Sequence, residues 1–351
     1  MITERLTLTG DPEDAALVAR AAAIIRRGGL VAFPTETVYG LGAYALDADA
    51  VGRIFAAKGR PAADPVIVHV ADASALSALA SVVPATAHTL AQAFWPGPLT
   101  LIVQKAEAVP ARVTAGGPTV AVRVPAHPVA QALLRAAGVP IAAPSANRFS
   151  RPSPTRADDV LEDLGSAIDA ILDGGPTTHG VESTVLDLTS TPPRVLRPGA
   201  IPLDALLAVD PTIQMRETVV RGAEAPLTAP GTLLKHYSPR AEVRLWTGPA
   251  DLLRHALIED AKAQVATGRR VGVLATDEDL ALLGAMPVIT ASLGAAARVE
   301  EAAQRLFAGL RDLDRAGVDV VIVRDPGRSG LALTVWDRLF RAAEGRVLES
   351  R

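Results

Sequence analysis

Apolar residues along the chain recur with two alternating periods. Between residues 13 and 27, Ala16, Leu17, Ala19, Ala23 and Ile24 fall at helical spacing, and Gly28-Gly29 ends the run where a left-handed residue costs nothing. LVAFPTE then reads as a buried strand whose polar end carries Thr35, Glu36, Thr37 and Tyr39. The spacing next predicts a helix over 49–57, a strand over 66–70, a helix over 86–94 and strands over 99–103 and 119–124. A helix over 128–137, a strand at PIAAPS, a helix after Thr155 and strands near Ala170 and over 184–188 complete the first part. Some neighbours follow by hairpin-like connections and others across helices, which predicts a mixed sheet.

Over residues 202–240 the periodicity fades, and Pro211, Pro226, Pro230 and Pro239 punctuate the chain. Long irregular segments are uncommon unless they act as lids or spacers, so this one reads as a functional linker, with Lys235, His236 and Tyr237 its most distinctive residues. From Val243 the alternation restarts, with strands over 243–246, 270–275, 287–290 and 318–324. Helices over 250–266, after Asp277, over 296–316 and over 335–343 separate them. That order predicts a smaller Rossmann-like α/β domain. No G-x-G-x-x-G follows its first strand, so dinucleotide binding is not supported. The expected divisions are 1–203, a linker over 204–240, and 241–351.

With 351 residues, 49% of them hydrophobic and 21% charged, the chain can bury two cores. It has no uninterrupted apolar run of about 18 residues, and MITERLTLTGDPED lacks the order of a signal peptide. A cytoplasmic protein without membrane contact is expected. The absence of cysteine removes disulfides, thiolate zinc sites and a Cys nucleophile. A net charge of −3 counts against a surface built throughout for nucleic acid and leaves room for a local basic cleft.

KGRP, at Lys58 to Pro61, stands between two apolar strands rich in hydroxyls at their ends. Around a turn the two cations can converge on an anion, Lys58 as a point charge and Arg60 as a bidentate fork, and phosphate is the natural guest. The plain alternative is two solvated surface cations. PSANRFSRPSPT offers Ser145, Asn147, Ser150, Ser153 and Thr155, whose hydroxyls and neighbouring amides suit phosphate or ribose, or make an ordinary polar turn. Asp64, His69, Thr119 and Arg123 also lie at or near strand ends, while Ser183 and Arg197 fall in GVEST and LRPG. A lone His inside VIVHVAD is more often an interior group than a ligand, and an Arg before Pro-Gly is usually a surface residue. No carboxylate run or His pair forms a metal cage, so any Mg²⁺ would arrive with a nucleotide. There is no Walker motif and no G-x-S-x-G elbow. The residues themselves lead to a nucleotide-handling pocket and leave its second substrate open.

PTETVYGLG, KGRPAADPVIVH, WPGPLT, TVAVRVPAH, PSANRFSRPSPT, GVEST and LRPG together resemble, in this order, the YrdC-type domain of threonylcarbamoyl-AMP synthases. PGTLLKHYSP followed by an α/β domain resembles the long form of that family. The resemblance implies a twisted mixed sheet with a concave ligand cleft. It implies that L-threonine, bicarbonate or CO₂, and ATP with its Mg²⁺ give threonylcarbamoyl-AMP and pyrophosphate. The adenylate would feed N6-threonylcarbamoyladenosine modification of tRNA by separate transferase machinery, with direct contact to tRNA weak at most. Carried over residue by residue, Lys58 and Arg60 would be catalytic and bind ATP along with Asp64, Thr119, Ser145, Asn147, Ser153, Arg197, His236 and Tyr237. Thr35, Thr37, His69, Arg123, Ala143 and Ser183 would line the threonine and bicarbonate end, with Arg123 on the threonine carboxylate. His236 and Tyr237 would reach over the ATP as part of a lid. Two other readings stand beside this one. Related carbamoyl-adenylate chemistry of the hydrogenase-maturation type has a zinc-finger-like region that a cysteine-free chain lacks. An RNA-binding module fits poorly with the net negative charge.

Overall fold

The computed structural model describes residues 2–216 and 236–350. The described residues divide into two compact units: 2–149, 153–178 and 182–216 form the first, and 150–152, 179–181 and 236–350 the second.

Twelve strands build the first unit: β1 (Glu4–Thr7), β2 (Val31–Pro34), β3 (Tyr39–Tyr44), β4 (Ile67–His69), β5 (Ala80–Val82), β6 (Leu99–Lys105), β7 (Thr119–Arg123), β8 (Ile141–Ala142), β9 (Ala170–Asp173), β10 (Thr184–Asp187), β11 (Arg194–Arg197) and β12 (Gln214–Met215). They join in the order β1-β9-β2-β3-β8-β4-β7-β6-β10-β11-β12, with β5 on β6. β4 runs parallel to β7 and β10 parallel to β6, while β7 is antiparallel to β6 and β2 to β3. The sheet is therefore mixed, as the connection pattern predicts.

PTETVYGLG folds differently from its sequence reading. Thr35 to Val38 form a hairpin turn in which the Thr35 hydroxyl donates to the Val38 carbonyl at 2.7 Å, and the chain returns as β3. A side-chain oxygen closing a turn over its own backbone reverses the chain where apolar periodicity shows no break. β1, β5, β11 and β12 also lie outside the expected elements, each four residues or fewer and too short to show a period. Of the linker expected over 204–240, residues 204–216 carry most of a helix (Leu203–Leu207) and β12, anchored by buried Leu206 and Ile213. Residues 217–235 of it lie outside the described residues.

Alternation along the central strands separates core from site. Val68, Val120, Val122, Leu99, Leu101, Val103 and Leu186 point into the main core cluster. Side chains one residue out of phase take the other face, where Ile67, Ala121, Ile102 and Val185 form a small separate cluster. On that second face, at i ± 2 from these four, lie His69, Thr119, Arg123, Thr100 and Ser183.

The second unit has five parallel strands, β13 (Glu242–Thr247), β14 (Val271–Ala275), β15 (Ile289–Ser292), β16 (Val320–Arg324) and β17 (Val347–Glu349), in the order β15-β14-β16-β13-β17. Helices Ala250–Ala266, Val299–Arg315 and Gly330–Ala342 lie among the connections, giving the expected α/β domain. Its fourth strand stands between the second and the first, which departs from the dinucleotide-binding order.

One close approach ties the turn after β11 to β10. A Cβ on Gly199 would lie 2.3 Å from the backbone of Ser183 and Thr184, atoms that cannot rotate away. Gly199→Ala should therefore destabilise the chain by roughly 1–3 kcal/mol. Urea unfolding measures this, and an unchanged midpoint would show that the two segments separate at little cost.

Candidate active site

Asp47 caps the helix Ala48–Lys58, its carboxylate accepting from the Asp49 and Ala50 amides, and Gly59 ends it in the left-handed region at φ 64°. This turn separates the partners of Lys58 from those of Arg60. Both are buried, at 3% and 7% exposed, which rules out a pair of solvated cations. Arg60 Nη2 lies 2.9 Å from Asp64 Oδ1, and the same guanidinium donates to the Asp64 and Pro65 carbonyls. Lys58 Nζ donates to the carbonyls of Ser145 and Asn147, each at 2.5 Å, and the Phe149 amide donates back to the Lys58 carbonyl. One ammonium thereby holds the loop PSANRF in place.

Asp64 is fully buried. Burial pushes its pKa up, and Arg60, Lys58 and Arg197 in that order oppose the rise. Arg60 touches this carboxylate, while Lys58 from the same stretch and Arg197 from a distant one add their charge to its field. Arg197 is itself buried, contrary to the usual reading of an Arg before Pro-Gly, and donates to the carbonyl and hydroxyl of Ser183 at 2.7 and 3.1 Å. The Ser183 hydroxyl is 2.8 Å from that of Thr100.

A second polar group surrounds the end of β7. The hydroxyls of Thr35 and Thr37 are 2.7 Å apart, and Arg123 Nη1 donates to Thr37 at 3.0 Å. Arg123 Nε donates to the Gly97 carbonyl, and its Nη2 lies 2.7 Å from Glu36 Oε1. Burial raises the pKa of Glu36, but Arg123 and the backbone amides of Glu36 and Ala126 outweigh it, so the carboxyl titrates below its ordinary range. His69, beside Arg123 in register, is pushed down to about 3 by burial and then by the Arg123 charge, and is neutral.

The remaining expected residues are placed less centrally. Ser153 donates to Glu182 at 2.5 Å, both buried. Ala143 binds the Ile67 carbonyl through its amide. Thr119 begins β7 and Arg123 ends it, about 13 Å apart at ~3.3 Å per residue. His236 and Tyr237 belong to the second unit, where both are buried and the Tyr237 ring packs 5.2 Å from Phe307. Sequence reasoning assigned no role to Glu36, Thr100 or Glu182. Glu36 was visible as a charged residue inside an apolar hairpin, whereas Thr100 and Glu182 gain meaning only from register.

A mixed sheet thus carries two buried arginine–carboxylate pairs, Arg60 with Asp64 and Arg123 with Glu36, among buried hydroxyls. A family model described as "Telomere recombination" matches residues 23–199, and one described as "Threonylcarbamoyl-AMP synthase, C-terminal domain" matches residues 201–344. The Pyrococcus abyssi protein named threonylcarbamoyl-AMP synthase is 46% identical over 94% of each chain, and that of Bacillus subtilis is 44% identical over 99% of this chain and 97% of its own. A crystal structure of a P. abyssi homologue complexed with L-threonine superposes with a TM-score of 0.92 at 43% identity, covering 100% of both chains. The chain belongs to the threonylcarbamoyl-AMP synthase family, in its two-domain form.

Buried neutral His69 makes stability depend on pH. Its folded pKa is about 3 against 6.5 when unexposed to these surroundings, so the unfolded chain binds the proton first as pH falls. The contribution is complete above the unfolded value and is lost as pH drops from there toward 3. Between pH 7 and pH 5 this residue should cost about 2 kcal/mol. In paired urea titrations at those two pH values, His69→Gln should lose correspondingly less than the parent chain, and equal losses would place the effect elsewhere.

Proposed function

We propose that the first unit synthesises threonylcarbamoyl-AMP from L-threonine, bicarbonate or CO₂, and ATP, releasing pyrophosphate. The observation that carries this reading is the buried Arg60–Asp64 pair beside buried Lys58 and the 145–147 loop that Lys58 holds, within a chain that is 44–46% identical to named synthases along nearly its whole length. In-line attack of a carbamate oxygen on the α-phosphorus spreads negative charge over phosphoryl oxygens, and fixed cations in a dry site stabilise that charge. Lys58 and Arg60 take this role, the first held by loop carbonyls and the second by Asp64. Arg197, Ser145, Asn147, Ser153 and Thr119 extend the nucleotide site. Thr35, Thr37, His69, Ala143 and Ser183 line the threonine and bicarbonate end, with Arg123 on the carboxylate. Roles for His236 and Tyr237 toward ATP rest on the family resemblance.

Among the described residues no group of three His, Asp or Glu could hold a metal. The phosphate cradle fits a nucleotide that brings its own Mg²⁺: its side chains are cations, and its one carboxylate, Asp64, is held by Arg60. Mg²⁺ supplies charge neutralisation on the phosphates and keeps most of its waters. No described helix is long and apolar enough to cross a membrane. We place the enzyme in the cytoplasm, handing its adenylate to tRNA threonylcarbamoyl transferase machinery.

Purified protein incubated with ATP, Mg²⁺, ¹⁴C-bicarbonate and L-threonine should yield labelled adenylate and pyrophosphate. Lys58→Ala and Arg60→Ala should each lower the rate by roughly a hundredfold or more. Pyrophosphate release that ignores threonine, or full activity in both variants, would overturn the reading.

A further inference from the structure

Glu36 and Arg123 form a buried pair of opposite charges at the end of β7. Glu36 is 5% exposed, its Oε1 lies 2.7 Å from Arg123 Nη2, and a carboxylate offers about four acceptor sites, more than Arg123 and the amides of Glu36 and Ala126 occupy. Of the five N–H donors of a guanidinium, Arg123 spends one on the Gly97 carbonyl, one on the Thr37 hydroxyl and one on Glu36. The backbone under Glu36 is fixed, since its residue lies in the turn closed by Thr35 and its carbonyl accepts from the Thr178 hydroxyl at 3.1 Å. An acid and a base held side by side, each with bonding capacity left over, are the complement of a molecule that carries both charges close together.

We propose that Glu36 receives the α-ammonium group of the amino-acid substrate and makes this subsite specific for a free zwitterion. The inference rests on the reading of Arg123 as the partner of the threonine carboxylate. In an α-amino acid the ammonium nitrogen and the carboxylate carbon share one Cα. A carboxylate on the spare N–H groups of Arg123 therefore brings the ammonium beside Glu36, and the four charges alternate in sign. The Glu36–Arg123 pair need not break, because neither partner is saturated. A substrate with a blocked amine would leave the Glu36 carboxylate buried beside an uncharged group, losing a charge-assisted bond. Glu36 thus serves as a substrate-binding and specificity residue rather than only as a brace for Arg123.

Calorimetric titration of the full chain with L-threonine and with N-acetyl-L-threonine tests this, because both ligands keep the carboxylate and only one keeps the ammonium. The parent chain should prefer L-threonine by roughly 10- to 100-fold. Glu36→Gln should lose L-threonine affinity by a similar factor while binding N-acetyl-L-threonine no worse, so the preference collapses and the ATP KM is unchanged. If Glu36 only braces Arg123, both ligands weaken alike, and that result overturns the proposal. Unchanged L-threonine affinity in Glu36→Gln, or equal affinity of the parent chain for the two ligands, overturns it as well. A parent chain that binds no L-threonine removes the underlying reading of the site together with the proposal, an outcome distinct from failure in the variant alone. Should Glu36→Gln not fold, Glu36→Asp keeps the charge and should bind L-threonine more weakly with its preference retained; a lost preference there overturns the proposal.

Discussion

A carboxylate with no exposed surface is tolerable only when a cation is set against it, and at Asp64 that cation is Arg60, with the charges of Lys58 and Arg197 adding to its field. Taking away one partner of such a buried pair typically costs about 3–5 kcal/mol, because the remaining charge is left without compensation. The surrounding chain is arranged to meet that demand. Gly59 turns Arg60 back toward Asp64, Lys58 draws in the carbonyls of the 145–147 loop, and Arg197 is tied to Ser183 on β10. In the reaction proposed for this chain, what folding requires at this point would also serve phosphoryl chemistry, since the cations are oriented before any substrate arrives and lie in surroundings of low dielectric.

The same device recurs at the other end of the site. Arg123 is buried with Glu36 against it, as Arg60 is with Asp64. Each arginine spends further donors beyond its acid, Arg60 on the Asp64 and Pro65 carbonyls and Arg123 on the Gly97 carbonyl and the Thr37 hydroxyl. The sheet face that carries Arg123 also carries the small apolar cluster of Ile67, Ile102, Ala121 and Val185.

Much of the architecture was legible because the long elements are strongly periodic. The helices after residue 13, before KGRP, after Pro128 and after Arg298 lie where apolar spacing places them, and so do the longer strands. Short elements were not legible: two to four residues carry no period, and the Thr35 turn is set by one hydroxyl. For the same reason residues 204–216 looked like linker although buried Leu206 and Ile213 bind them into the first unit.

The sequence by itself determined the α/β class, the two-part organisation, the family to which the chain belongs and the residue types available for chemistry, because these depend on composition, local periodicity and ordered motifs. Only the tertiary structure decided which charges meet. Lys58 and Ser145 are 87 positions apart and so are Glu36 and Arg123, and their contacts follow from strand register and chain crossing, which no local pattern encodes. Burial was decided at the same level: it turned Lys58 and Arg60 from ordinary surface cations into a preorganised cradle, and His69 into a neutral interior base, by removing the water that would otherwise have screened them.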